Sequence, residues 1–185
     1  VQSSNAGTSF SLTSEFQIPP GSEVGVAGSA ELVFDAAGKL HWAASVEDAS
    51  GARSVGLTYQ DGTIFRVGGE LGEAGAMATR PVLAVDTNLQ SDSPFAGYMY
   101  VSFTDEAANR VLLSRSIDNG LTWSAPVQVS DDIETTDGNL PPLGPASVTV
   151  GPNGDVYVAY HYQSGSTPPT GADNQSNSDG VSGQI

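Results

Sequence analysis

The sequence contains no cysteine and few basic residues. Its 185 residues include 6 Lys and Arg against 21 Asp and Glu, a formal net charge of −15. Without cysteine the chain can form no disulfide, no cysteine-ligated zinc site and no cysteine nucleophile. A surface this acidic repels phosphate backbones, so we expect no nucleic-acid partner. No apolar run approaches the roughly 20 residues of a membrane-spanning helix, so we expect no membrane span.

Helical patterns are nearly absent, because no stretch repeats apolar residues at helical spacing over three turns. Short runs of β-branched and aromatic residues occur instead, about every ten residues, and most are separated by Gly, Asn, Asp or Pro. This spacing predicts an all-β protein, as a sandwich, a barrel or a propeller. The predicted strands are Leu32–Phe34, Leu40–Ala44, Val55–Tyr59, Thr63–Val67, Val82–Val85, Tyr98–Phe103, Arg110–Ser114, Val127–Val129, Ser147–Val150 and Val156–Tyr160.

An internal repeat decides among these architectures. An apolar strand, a Gly-containing turn and an aromatic strand recur at Glu31–Ser45, at Pro81–Phe103 with an insert, and at Ala146–Tyr160. A second pair of strands follows the first two hairpins. A unit of four antiparallel strands in roughly 50 residues has the size of a propeller blade. We therefore predict an incomplete β-propeller of about two to three blades.

The blade period divides the chain into five parts. Residues Val1 to Thr8 show neither the charged nor the apolar segment of a signal peptide, so none is expected there. The predicted parts are an N-terminal arm with room for one outer strand (1–27), blade 1 (28–72), blade 2 (73–138), the inner hairpin of blade 3 (139–163) and a flexible polar tail (164–185).

The most specific motif lies between the third and fourth strands of the second unit. It reads Ser116-Ile-Asp118-Asn-Gly120-Leu-Thr122-Trp123 and fits the pattern Ser-x-Asp-x-Gly-x-Thr-Trp. This pattern resembles the Asp-box of bacterial neuraminidase repeats. Through it the chain is identified as a member of the sialidase-like, Asp-box β-propeller superfamily, over roughly residues 28 to 163. The resemblance implies that the box is structural and lies at the blade periphery, away from the active centre.

These residue types suit a tight hairpin turn. Gly120 can adopt a positive φ at little cost. The Asp118 carboxylate can accept hydrogen bonds from backbone N–H groups of the turn, and Ser116 can support it. The ring of Trp123 can bury a large apolar area beside the turn.

The first unit carries a degenerate version of the same box. The Asp61-Gly62 turn is retained, and Phe65 takes the position of the tryptophan. The third unit ends before any box.

The resemblance implies which residues a catalytic chain would need. Sialidases of this superfamily use three arginines that hold the substrate carboxylate, a Tyr nucleophile paired with a Glu, and an Asp acid/base. Arg80-Pro81 lacks the Ile of the family's Arg-Ile-Pro signature, and the other arginines fall in turns or on outer strands. We therefore predict no catalytic residues in this chain. Its five arginines are Arg53, Arg66, Arg80, Arg110 and Arg115.

Four other polar residues have two interpretations each. Asp35 and Asp86 follow inner strands, where a turn-forming role is favoured over a role as catalytic acid. His41 and His161 are predicted at similar positions of units one and three, either as ordinary strand residues or as a shared metal or ligand site.

The loop after the second blade is rich in carboxylates. It contains Asp131, Asp132, Glu134 and Asp137, which do not match an EF-hand loop. A solvated acidic loop and a calcium site both remain open, and no other cofactor is predicted.

The predicted function is a non-enzymatic, sialidase-like propeller segment that acts as a binding or structural scaffold for a glycan or protein partner. The alternative is a fragment of a sialidase-like glycoside hydrolase, of exo-sialidase type, whose catalytic residues lie outside this chain. The remaining blades would come from the parent chain or from another subunit. The resemblance implies an exported protein in the extracellular space, the periplasm or at the cell surface.

Overall fold

The computed structural model describes residues 4–9, 25–62, 64–72, 76–88, 93–131, 143–162 and 180–181. These residues form eleven strands and, within the described ranges, no helix. The first sheet contains β1 (Gly25–Phe34), β2 (Leu40–Glu47), β3 (Arg53–Asp61) and β4 (Ile64–Leu71). The second contains β5 (Ala78–Val85), β6 (Met99–Asp105), β7 (Arg110–Ser116) and β8 (Val127–Gln128). The third contains β9 (Ser147–Val150), β10 (Val156–Tyr160) and β11 (Gly180–Val181).

The predicted fold class is confirmed. Each four-stranded sheet is antiparallel and keeps its strands in chain order, β1-β2-β3-β4 and β5-β6-β7-β8. The third sheet has the order β11-β10-β9. No sheet closes on itself, and this arrangement is that of incomplete, propeller-like blades.

The sheets pack face to face through two apolar clusters. Val55 and Leu57 of the first sheet meet Leu83 and Phe103 of the second. The opposite face of the second sheet meets the third through residues such as Tyr100. Because both faces of the second sheet are covered, every residue of its strand β6 is buried, including Ser102 and Thr104. The alternation expected of a one-sided strand is therefore lost in β6.

The outer faces of the first and third sheets are more exposed than these interfaces. Leu32 and Phe34 of β1 are 52% and 62% exposed. Strand β10 alternates strictly between buried and exposed residues, and Tyr157 is 50% exposed. These two faces lie at the ends of the stack of three sheets.

Some predicted segments differ from the structure or lie outside its described part. The last strand of the second sheet is only Val127–Gln128, because the preceding turn occupies residues up to Trp123 and Pro126 has no N–H to donate. Strand β11 pairs with β10 inside the region predicted as a polar tail. Most of the N-terminal arm lies outside the described residues. In the part of the chain that the structure describes, no helix is long and apolar enough to cross a membrane.

Candidate functional site

The turn from Ser116 to Trp123 is organised by the side chains of its own motif. The Ser116 hydroxyl accepts the Gly120 N–H at 2.8 Å and donates to Oδ1 of Asp118 at 2.8 Å. Thr122 donates its backbone N–H to Asp118 Oδ1 at 2.8 Å and its hydroxyl to Oδ2 at 2.6 Å. Both carboxylate oxygens of Asp118 are thus bound within the turn.

These hydrogen bonds also set the charge of Asp118. Burial would raise the pKa of Asp118, but hydrogen bonds from Thr122 and Ser116 outweigh burial, so its pKa lies below the usual value. The carboxylate is therefore ionised at neutral pH. Its geometry is that of a turn-organising group.

The same turn packs against the first sheet. Gly120 has a φ of 78°, and a Cβ at this position would lie 2.8 Å from Nδ1 of His41. The Gly120 carbonyl oxygen closely approaches Gly68 of β4. The Trp123 ring packs against the cluster between the two sheets, near Gly69. The turn therefore lies at the junction of two sheets, and no sequence pattern predicted this contact.

His41 is held on its other side by a buried carboxylate. Its Nε2 lies 3.0 Å from Oδ2 of Asp35, and both side chains are 3% exposed. Oδ1 of Asp35 accepts the backbone N–H groups of Ala37 and Lys39 at 2.9 and 2.8 Å. Asp35 thus shapes the β1–β2 turn, as predicted for a turn-forming residue, and it also orients the His41 ring.

Burial has opposite effects on the pKa values of His41 and Asp35. It lowers the pKa of His41 below the ordinary value, and the hydrogen bond to Asp35 opposes this change only in part. Burial would raise the pKa of Asp35, but hydrogen bonds from His41 and Lys39 outweigh it and keep that pKa low. At neutral pH the pair is therefore a neutral imidazole beside an ionised carboxylate.

Asp86 occupies the same place in the second sheet as Asp35 does in the first. It is fully buried and accepts the Asn88 N–H at 3.0 Å and the hydroxyl hydrogen of Ser93. These contacts organise the β5–β6 turn. They support the turn-forming interpretation of Asp86 over a role as catalytic acid.

The two histidines are not at similar positions, so that prediction was wrong. His41 is the second residue of β2, whereas His161 follows the last residue of β10 and packs on Gly144. They therefore lie at opposite ends of their strands. A shared site would need them at the same end.

The predicted degenerate box has a different structure from the complete motif. Asp61 forms an ion pair with Arg66, and its side chain is 51% exposed. Gly62 has a φ of 64° and accepts a hydrogen bond from the Gln60 amide at its carbonyl oxygen. Phe65 pairs with Gln60 in the sheet, while its side chain lies outside the described part of the structure.

Four of the five arginines bind carboxylates of this chain. The Nη2–Oε1 distance between Arg80 and Glu106 is 2.8 Å, and Arg80 has a left-handed φ of 53° at a bulge in β5. Arg115 is exposed on β7. The pairs are Arg53 with Glu47, Arg66 with Asp61, Arg80 with Glu106, and Arg110 with Asp105. Each of these pairs lies within one sheet or its turns.

The acidic loop is described only at its first residue. Asp131 is exposed, and its backbone N–H donates to the Tyr160 hydroxyl oxygen at 3.3 Å. Asp132, Glu134 and Asp137 lie outside the described residues. Within the described ranges no group of three or more acidic, histidine or cysteine side chains is arranged to hold a metal. The calcium site remains a prediction.

No protein-family model and no curated protein sequence matches the chain. Several solved structures share its fold, among them the following two. A protein of unknown function from Dyadobacter fermentans DSM 18053 is 14% identical with a TM-score of 0.51, over 71% of this chain and 33% of that protein. The Hadza microbial sialidase Hz136 is 17% identical with a TM-score of 0.50, over 74% of this chain and 32% of that protein.

These similarities concern the fold alone. The sheets of this chain are arranged like part of the sialidase Hz136, and the chain spans about a third of the length of each of these two proteins.

Proposed function

We propose that this chain is a non-enzymatic, sialidase-like propeller segment of an exported protein, and that it serves as a binding or structural scaffold. The observation that carries the proposal is the pairing of the arginines. Arg53, Arg66, Arg80 and Arg110 each bind a carboxylate of the chain itself. Arginines already neutralised in separate places do not form a three-pronged clamp for a substrate carboxylate.

The turn from Ser116 to Trp123 supports the assignment to the Asp-box superfamily. The hydrogen bonds of Ser116, Asp118 and Thr122 give each defined polar residue of the motif a role inside the turn. With both its oxygens bonded there, Asp118 has a structural role. We infer that the motif stabilises the scaffold.

The third sheet provides the surface for a partner of the scaffold. His41, Tyr100 and Tyr157 are equivalent, because each is the second residue of the second strand of its sheet. His41 and Tyr100 face a following sheet and are 2% and 6% exposed, whereas Tyr157 is 50% exposed. The face around Tyr157 therefore suits a further sheet, from the parent chain or from another subunit.

Enzyme assays and binding assays on the same protein test the scaffold proposal. A fluorogenic sialoside is offered to the purified chain and to Arg80→Ala, and both are screened on a glycan array. We expect no turnover by either protein. Turnover that is lost in Arg80→Ala would contradict the proposal, because it would place a catalytic centre within these residues.

The second candidate is a segment of a sialidase-like glycoside hydrolase. It is favoured by the fold shared with the sialidase Hz136, of which the matched region covers 32%. In that case a longer polypeptide containing these residues hydrolyses the sialoside while the 185 residues alone do not. Arginines outside this region would then be required for turnover.

A further inference from the structure

The imidazole of His41 lies between a buried carboxylate and the backbone of the neighbouring sheet. Nε2 faces Oδ2 of Asp35 at 3.0 Å. On the other side, the ring faces Gly120 so closely that a Cβ there would lie 2.8 Å from Nδ1 and 3.0 Å from Cε1. The ring thus joins the β1–β2 turn to the β7–β8 turn.

The turn above His41 cannot easily move away by itself. The Gly120 N–H is bound to the Ser116 hydroxyl at 2.8 Å, and Thr122 is bound to Asp118. Close contacts with Gly68 and Gly69 complete the junction with the first sheet. A change in the charge of the ring therefore acts on a rigid, closely packed contact.

Burial disfavours a proton on the ring, and the charged groups around it offset this effect only in part. Within the β1–β2 turn, Asp35 favours the imidazolium and Lys39 opposes it. On β3, Tyr59 lies 6.4 Å from the ring and carries the Lys39 ammonium over its face at 5.2 Å. On β4, Arg66 is bound to Asp61, and in the packed turn both oxygens of Asp118 are already bonded. Strand β6 contributes the uncharged Met99.

We propose that His41 is a pH-sensitive contact between the first two sheets, closed when the imidazole is neutral and loosened when it is protonated. Protonation places a second N–H and a positive charge in a buried ring whose Nδ1 side faces Gly120. Asp35 offsets part of the cost of this buried charge, and the remainder is relieved when the junction opens to water.

The direction of the pH effect follows from linkage. Burial lowers the pKa of His41 in the closed state below its ordinary value of 6.5, so the open state binds the proton more tightly. The closed contact therefore loses stability as the pH falls below 6.5. At a pH below both values, the ratio of open to closed protein rises tenfold for each unit by which the closed-state pKa lies below the open-state pKa. Because the pKa of Asp35 is also low, its protonation causes a separate loss of stability, which begins only as the pH falls to about the ordinary carboxyl value of 3.8.

The experiment uses Trp123 and His41 as two reporters of the contact between the sheets. Trp42→Phe leaves Trp123 as the sole tryptophan, and its fluorescence is followed from pH 8 to pH 4.5 while NMR follows the His41 ring protons. We expect both signals to change with one midpoint, below 6.5, and amide exchange at Gly120 to accelerate over the same range. His161→Gln is the matched control, because it removes the only other histidine and should leave the transition unchanged.

His41→Phe keeps a ring in the contact without a titrating group, so the transition should disappear. Persistence of the transition in His41→Phe would overturn the proposal. If that variant does not fold, the protein that retains His41 provides the test. Titration of His41 without any response of Trp123 would equally overturn the proposal.

Discussion

The turn between β3 and β4 and the turn between β7 and β8 occupy the same place in neighbouring sheets, but they are built differently. In the second sheet, Asp118 binds Ser116 and Thr122 inside its own turn. In the first sheet, Asp61 instead binds Arg66 of the adjoining strand and is half exposed. Asp118 therefore organises its turn through Ser116 and Thr122, whereas Asp61 binds a charged side chain of the next strand.

The difference extends to the neighbouring strands. Strand β4 pairs with β3 from Ile64 to Leu71, interrupted by one bulge, whereas β8 pairs with β7 through only two residues. The longer turn in the second sheet replaces strand pairing with contacts to the first sheet through Gly120 and Trp123. Four substitutions test this difference between the two turns.

Gly120→Ala should have the largest effect. The new Cβ would meet the His41 ring, which Asp35 holds in place, at a residue with φ of 78°. Left-handed backbone costs roughly 1–2 kcal/mol for a non-glycine residue, and overpacking costs about 1–3 kcal/mol more. Urea unfolding measures the loss. Gly38→Ala has the same φ of 78° and nothing within 4 Å of its Cβ, so it isolates the strain. Equal losses in the two variants would disprove the contact with His41.

Trp123→Ala should follow. Its ring is partly buried against the cluster between the first two sheets, so we expect a loss of about 3 kcal/mol, at the lower end of the range for large aromatic truncations. Thermal and urea unfolding of the variant provide the measurement. Trp123→Phe should recover most of the stability. A variant as stable as the wild type would show that the turn does not bind the first sheet.

The contrast between the two turns marks the limit of what the sequence could predict. Strands such as Val55–Tyr59 follow from local patterns of β-branched and aromatic residues, and the observed β3 contains that segment. The contact of His41 with Gly120 depends on how two sheets pack and leaves no periodic signal. Equating His41 with His161 failed because the repeat was aligned by residue type, whereas their positions along β2 and β10 differ.

Asp118→Ala should cost about 1–3 kcal/mol, because it leaves the Thr122 N–H and the Ser116 hydroxyl without their acceptor. Asp118→Asn keeps one carbonyl oxygen and should lose less. The low pKa of Asp118 means that its contribution is present above the ordinary carboxyl value of 3.8 and is lost as the pH falls below it. Unfolding measured at pH 7 and pH 3 tests both points. A loss equal at the two pH values would contradict a role for the ionised carboxylate.

Asp61→Ala should have the smallest effect, with little change in the free energy of unfolding. The Asp61–Arg66 pair is half exposed, and pairs of this kind contribute little because water screens the charges and both side chains lose freedom. Gly62 already supplies the positive φ that the turn needs, so the backbone does not depend on the carboxylate. Urea unfolding of Asp61→Ala beside Asp118→Ala gives the comparison directly, with Arg66→Ala as the matched partner deletion. Equal losses for the two aspartates would mean that the first turn is also organised by its carboxylate, and the distinction between the turns would fail.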